Sequence, residues 1–217
     1  MSSDDRVARA PKKRVYDSGL RQERARQNRD RIIAAAERRF LRDGYAGTTI
    51  AAIAHDAEVS ADTMYKTFGN KPGLVRALRI KALEGDGPVR AERRSNEMQA
   101  LETDSRTIVR AWGALTTEVM PKVGPILLLV RDAAASDDDG KSLLAEMDAD
   151  RLRRMTANAR RLRSSGHLRS GISVSQAAEI LWTYSSPELY ELLVLRRGWA
   201  LERYGDFITS AMIDALL

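Results

Sequence analysis

Cysteine is absent from the 217 residues, which excludes disulfides, thiolate metal sites and a cysteine nucleophile. Histidine is almost as scarce. His55 and His167 lie far apart, and no Gly-rich phosphate loop or Ser-His-Asp set accompanies them, so no enzyme, metal or cofactor is expected. Aromatic residues make up only 6%, while Ala, Leu and Arg are abundant, a composition for helix rather than sheet. The longest unbroken apolar run, around residues 126–130, falls well short of the ~18 residues of a membrane span. The N-terminus is polar and charged where a signal peptide has an apolar core. These absences predict a soluble cytoplasmic protein with no membrane partner.

What is present is charge, unevenly placed. Of a net +6, residues 1–80 hold 17 Lys and Arg against 10 Asp and Glu, whereas residues 81–217 hold 19 against 20. A basic module joined to a near-neutral one suggests that the first part meets a polyanion. Within residues 1–27, the first 25 carry Arg6, Arg9, Lys12, Lys13, Arg14, Arg21 and Arg24 with little apolar periodicity. They read as a flexible basic arm, which either tracks phosphates and a minor groove or serves as a solubilising tail.

Helical periodicity begins near Asn28. Ile32, Ile33, Ala36 and Phe40 share one face and Gly44 follows as a stop, predicting a first helix over about 27–43. Thr48 or Thr49 can cap a short second helix with Ile50, Ile53, Ala54 and Ala57 on its apolar face. After Glu58-Val59-Ser60, a third helix runs from Ala61 to Phe68, and Asn70 can cap a fourth with Pro72 in its first turn. Two short helices joined by a three-residue turn are what a helix-turn-helix requires. Ala54 is small enough for the crossing, and Val59 and Met64 pack beneath. The outward face of the third helix is then small, polar and rich in donors, as a helix entering a major groove needs.

The run Phe40-Leu41-Arg42-Asp43-Gly44-Tyr45, with Thr48-Thr49-Ile50, Ile53-Ala54, Val59-Ser60, Thr63-Met64-Tyr65, Phe68 and Asn70-Lys71, resembles the N-terminal domain of the TetR family of transcriptional repressors. The resemblance implies a homodimer whose N-terminal three-helix domain binds double-stranded operator DNA and whose C-terminal domain binds a small-molecule effector. It implies that Thr49 contacts a phosphate and that Ser60 opens the DNA-facing set. Ala61, Asp62 and Thr63 then face base edges, Tyr65, Lys66 and Thr67 contact phosphate or base, and Lys71 contacts a phosphate at the next helix start. Two positions depart from the family pattern. Glu58 stands where the turn usually has Gly, which brings about 1–2 kcal/mol of strain if the residue is left-handed. Asp62 places a carboxylate at the recognition helix, where it repels phosphate but can accept from a cytosine amino group.

The fold expected is all-α: a helix-turn-helix domain over 28–84, then a helical ligand-binding and dimerisation domain over 85–217. The second begins after Gly85-Asp86-Gly87-Pro88, with helices expected at about 88–102, 105–121, 124–136, 141–164, 173–196 and 200–216. Pro187 is expected to kink or break the fifth of these, and Asp137-Asp138-Asp139-Gly140 reads as an acidic loop or a helix cap. Trp112, Leu115, Met120, Leu127, Leu128, Met147, Met155 and Trp182 are candidates to line an effector pocket, with Arg110 or Arg131 as polar anchor. Ile180, Tyr184, Leu189, Leu193, Phe207, Ile208 and Met212, with Leu192 and Leu195, are candidates for a two-fold four-helix dimer interface.

Overall fold

The computed structural model describes residues 13–85 and 89–217. Among the described residues every regular element is helical: α1 Lys13–Gly47, α2 Ile50–Asp56, α3 Ala61–Phe68, α4 Lys71–Ala82, α5 Ala91–Leu101, α6 Ser105–Ala134, α7 Asp138–Ser164, α8 Val174–Tyr184, α9 Pro187–Tyr190 with a π-helical continuation Glu191–Arg196, and α10 Leu201–Leu216.

The first helix is longer than its apolar stripe. Ile32, Ile33, Ala36 and Phe40 are buried as their spacing requires, but the helix begins at Lys13. Residues 13–27, expected as part of a flexible arm, are therefore helical; residues 1–12 lie outside the described residues. Residues 19–27 are mostly exposed. They carry Glu23, hydrogen-bonded by Arg26 at 3.1 Å and by Gln27 at 2.9 Å, side-chain pairs one turn apart. At the other end Gly44 takes φ +73°, turning the chain so that Tyr45 stacks on Phe40 at 6.0 Å.

The second departure concerns α6. The sequence predicts a break between Pro121 and Pro125, yet one helix runs through both. Each proline removes a backbone hydrogen bond and costs about 3 kcal/mol. This helix, however, packs against α1, α4, α5, α7, α9 and α10. Ile108, Val109, Trp112, Val119, Met120, Val123, Ile126 and Val130 are buried along it, each contributing about 1.5–3 kcal/mol. Packing outweighs local propensity. By length and composition α6 could cross a membrane, but its neighbours enclose it as the central helix of a bundle.

Where α6 meets α10 the approach is close in both directions. A Cβ on Gly113 would stand 1.9 Å from the Thr209 hydroxyl oxygen, and one on Gly205 would stand 2.5 Å from that of Thr117. Pro187 acts as expected: the chain breaks at Ser185, and Ser186 caps α9 with Pro187 in its first turn. Asp137 is a cap, its carboxylate accepting from the Gly140 amide at 2.7 Å.

Candidate nucleic-acid interface and cavity

The recognition segment is assembled by caps. Thr49 Oγ1 accepts from the Ala52 amide at 3.1 Å to start α2. Ser60 Oγ accepts from the Thr63 amide at 3.1 Å and shares a hydrogen bond with Thr63 Oγ1 at 2.9 Å to start α3. Asn70 Oδ1 accepts from the Gly73 amide at 2.8 Å to start α4. Each cap satisfies a first-turn amide that lacks a helical partner. Between α2 and α3 the turn passes through Glu58 at φ +54°, the left-handed position anticipated for it.

Burial then decides which face of α3 is free. Met64 is 1% exposed, packed with Ile53 and Ala54 of α2. Ala61, Asp62, Lys66 and Thr67 are exposed, and Tyr65 shows 56% of its surface to solvent. Phe68 is half-buried beneath the Arg29 guanidinium at 4.9 Å. The surface presented is two hydroxyls, a phenol, an ammonium and a carboxylate on a rigid two-turn helix. Thr49 reaches this surface with its oxygen already engaged as an acceptor, so its hydroxyl hydrogen is what it can offer a phosphate, whereas Ser60 Oγ is also tied to Thr63 Oγ1.

Lys71 is held differently from the other candidates. Its Nζ lies 4.1 Å from the centre of the Tyr45 ring, and burial pulls its pKa below the usual lysine value. Burial also pushes the Tyr45 phenol up to about 12. A phosphate would have to draw this ammonium off an aromatic face, whereas Lys66 is exposed. A contact not apparent from the sequence fixes α2 against α1: Arg39 donates to Asp56 through Nε at 2.6 Å and Nη2 at 2.8 Å. That bidentate pair holds the Asp56 carboxyl well below the usual carboxylate range.

Behind the recognition domain lies a cavity of about 690 Å³ bounded by α4, α5, α6 and α7, with Leu181 of α8 and Met212 of α10 also in its wall. This volume suits a drug-sized molecule. Trp112, Leu115, Met120, Leu127, Met147 and Met155 line it as expected, whereas Leu128, Arg131 and Trp182 do not. Adjacent helical positions point about 100° apart, so Leu127 faces the cavity while Leu128 is buried elsewhere. Arg131 is occupied by Glu191 at 2.5 Å and Asp132 at 2.9 Å. Trp182 is covered by the Arg151 guanidinium at 4.1 Å. Arg110 belongs to a separate, more open depression between α6 and α10.

The polar part of the lining includes residues that the sequence does not single out: Arg79 from α4, Ser95 from α5, and Asp150, Arg151 and Arg154 from α7. A signal for the last group exists, since Met147, Arg151, Arg154 and Met155 recur at spacings of four, three and one. Wide separation along the chain between α4 and α7 hides the rest. Two ion pairs join the same elements. Arg76 meets Glu146 at 2.6 Å, and Arg79 meets Asp150 at 2.9 Å. Thus α4, which begins at the cap behind the recognition helix, ends as a wall of the cavity.

Two interface candidates are displaced by burial. Ile208 is 0% and Met212 2% exposed; both face into the subunit and are unavailable to a partner. Ile180, Tyr184, Leu189 and Leu193 are partly buried against the core. Phe207 remains 43% exposed and meets Trp199 edge-on at 5.8 Å, and Leu192 and Leu195 are about half exposed.

Among the described residues no group of three or more His, Asp or Glu side chains is placed to hold a metal ion. Residues 32–78 match the family model described as bacterial regulatory proteins, tetR family. Over 97 residues the chain is 35% identical to the HTH-type transcriptional regulator TtgR of Pseudomonas putida, covering 44% of this chain and 46% of that one. The chain thus matches about half the length of this curated relative. The solved structure of NalD, the secondary repressor of the MexAB-OprM multidrug efflux pump in Pseudomonas aeruginosa, superposes with a TM-score of 0.69 at 18% identity, covering 90% of this chain and 98% of that one. FadR of Bacillus subtilis, solved with stearoyl-CoA, gives 0.68 at 16% identity, covering 86% and 98%. At those identities the likeness is one of fold.

Proposed function

Because residues 32–78 match the tetR-family model, we propose that the protein is a homodimeric, sequence-specific transcriptional repressor of the bacterial cytoplasm, released from its operator by a small molecule. The observation that carries this reading is the free face of α3, polar, capped and anchored through buried Met64. Ala61, Asp62 and Thr63 read base edges. Tyr65, Lys66 and Thr67 hold the flanking backbone, with Thr49, Ser60 and Lys71 at helix starts serving phosphates. Two such helices one DNA turn apart, about 34 Å, read a two-fold operator. The partner docks on the α8–α10 side, where Phe207, Leu192 and Leu195 leave apolar surface exposed.

Release follows if the effector prefers a conformation with different helix spacing. Moving the population from mostly bound-competent to mostly released takes about 5.5 kcal/mol of differential affinity. The cavity between α4 and α7 is where such a preference would be expressed.

The test is fluorescence anisotropy of the protein on the duplex upstream of its own gene, with a scrambled duplex of equal length as control, at two salt concentrations. The expected result is binding to the native duplex tighter by about a thousandfold, at dimer stoichiometry. Equal, salt-sensitive binding to both duplexes would reduce the protein to a non-specific basic module.

A further inference from the structure

The cavity is apolar over part of its lining and strongly cationic over the rest. Among the described residues Arg79, Arg90, Arg151, Arg153 and Arg154 line it against two carboxylates, Glu92 and Asp150. Three of these guanidiniums are shielded from water, with side chains 17% exposed for Arg79, 12% for Arg151 and 24% for Arg154. Burial lowers the pKa of all three. Their compensation is unequal. Arg79 has a close partner in Asp150 at 2.9 Å, which Arg153 also contacts. Arg151 donates to the Trp182 carbonyl oxygen at 2.5 Å and reaches the Asp148 carboxylate only at 3.4 Å. Arg154 donates to neutral Asn96 and Ser95 at 2.6 and 3.2 Å, with Glu92 at 3.4 Å. A shielded cation whose carboxylate partner stays at 3.4 Å is only partly compensated, and a closer charged hydrogen-bonding partner relieves that cost.

Trp112 and Met120 of α6 and Met147 and Met155 of α7 line the same cavity. Methionine side chains adapt to irregular apolar shapes. The Trp112 indole nitrogen is buried without an acceptor.

We propose that the cavity takes an amphipathic anion, a molecule with an apolar body and a carboxylate or phosphate head, the head seated between Arg151 and Arg154 and competing with Asp150 for Arg79. This names the effector class for the regulator proposed above, and its consequence at the DNA rests on that reading. Arg79 belongs to α4 and Asp150 to α7, so a head that captures Arg79 weakens a pair joining the recognition domain to the second domain. A cationic amphipath meets the wrong sign of charge, and a neutral one leaves the arginines as they were.

Four ligands with one body separate these cases: dodecanoate, dodecyl phosphate, dodecanol and dodecyltrimethylammonium, each titrated calorimetrically into the full chain below its micelle threshold. Both anions are expected to bind at least tenfold more tightly than the alcohol, with the cation weakest; the tighter anion distinguishes a carboxylate source from a phosphate source. Arg151→Gln and Arg154→Gln should each remove most of the anion's advantage while leaving dodecanol affinity unchanged. Asp150→Asn should move the other way, tightening the anions severalfold. Equal or tighter binding of alcohol or cation, no binding by any ligand, or an anion preference that survives in both arginine variants would overturn the proposal. The same anions are then added to the operator complex. Anion-selective binding with no specific DNA binding would sink the regulator reading and leave the ligand class standing; specific DNA binding with no anion selectivity would do the reverse.

Discussion

The recognition domain and the domain behind it solve their packing in opposite ways. Residues 48–70 make two helices of seven and eight residues, too short to persist alone. They are held by a side-chain cap at every start, a bidentate Arg39–Asp56 pair, and a small core in which Ile53 and Met64 are almost wholly enclosed. Such a region has little slack. The second domain uses helices of up to 30 residues and, beside a core that includes fully buried Leu143, Leu162 and Ile208, leaves a cavity between them.

A matched pair of substitutions tests that contrast most directly. Met64→Ala removes a fully enclosed side chain and should cost about 2–5 kcal/mol of stability. Met155→Ala, at the wall of an existing cavity, should cost about 1 kcal/mol or less, because the site already lacks part of its packing. Denaturant titration of both variants, with the denaturant dependence checked for constancy, decides the matter. Equal losses would mean that the two domains are packed alike.

Next in size is an effect on reading rather than stability. Asp62 is exposed on α3, and Asp62→Ala should leave thermal stability nearly unchanged while shifting preference among operator variants by about 1–3 kcal/mol at one base position. Identical affinity profiles for the two proteins across single-base operator variants would remove Asp62 from the base-reading set.

A smaller gain is expected at the turn. Glu58 holds φ +54° without the freedom of glycine, and its ion pair with Arg31, at 3.6 Å on an exposed surface, contributes little. Glu58→Gly should therefore stabilise the protein by about 0.5–1 kcal/mol, read as a raised denaturation midpoint. A lowered midpoint would show that the turn is not strained.

The smallest effect is a pH dependence confined to the second domain. Hydrogen bonds from Arg131 and Arg196 hold the Glu191 carboxyl down to about 2. A depressed folded-state value means stability that is fully present above the ordinary glutamate range, near 4.5, and is lost as pH falls toward 2. Glu191→Gln should lack this component, so its stability should decline less steeply than the wild type's between those limits. Parallel declines would show that the pair contributes nothing measurable.

The same contrast explains what is legible in the sequence. Caps and turns act within four residues, so Ser60 and Asn70 are recognisable as helix starts, Thr49 as one of two candidates for one, and Pro187 as a break, from their immediate neighbours alone. The continuity of α6 through Pro121 and Pro125 is not, because its cause is contact with six other helices. Helix in residues 13–27 escapes the sequence for a different reason: periodicity detects a buried face, and residues 19–27 are mostly exposed, with Glu23 paired to Arg26 and Gln27 one turn on. In the cavity, the apolar stripes of α6 and α7 pick out true lining residues, but a stripe does not say that Leu128 and Trp182 turn away. Nor does it say that Arg79, some 70 positions from Asp150 in sequence, faces the same space.

The double membership of α4 carries a mechanical consequence. Its first residues abut the recognition helix, and Arg79, Ile80 and Leu83 near its other end border the cavity. Twelve residues make a rod about 18 Å long. A tilt of about 10° at the cavity end would carry the opposite end through about 3 Å over that length, comparable to the rise between adjacent base pairs. Displacements of a fraction of an ångström per residue, spread along one short lever, are enough to move a reading head out of register.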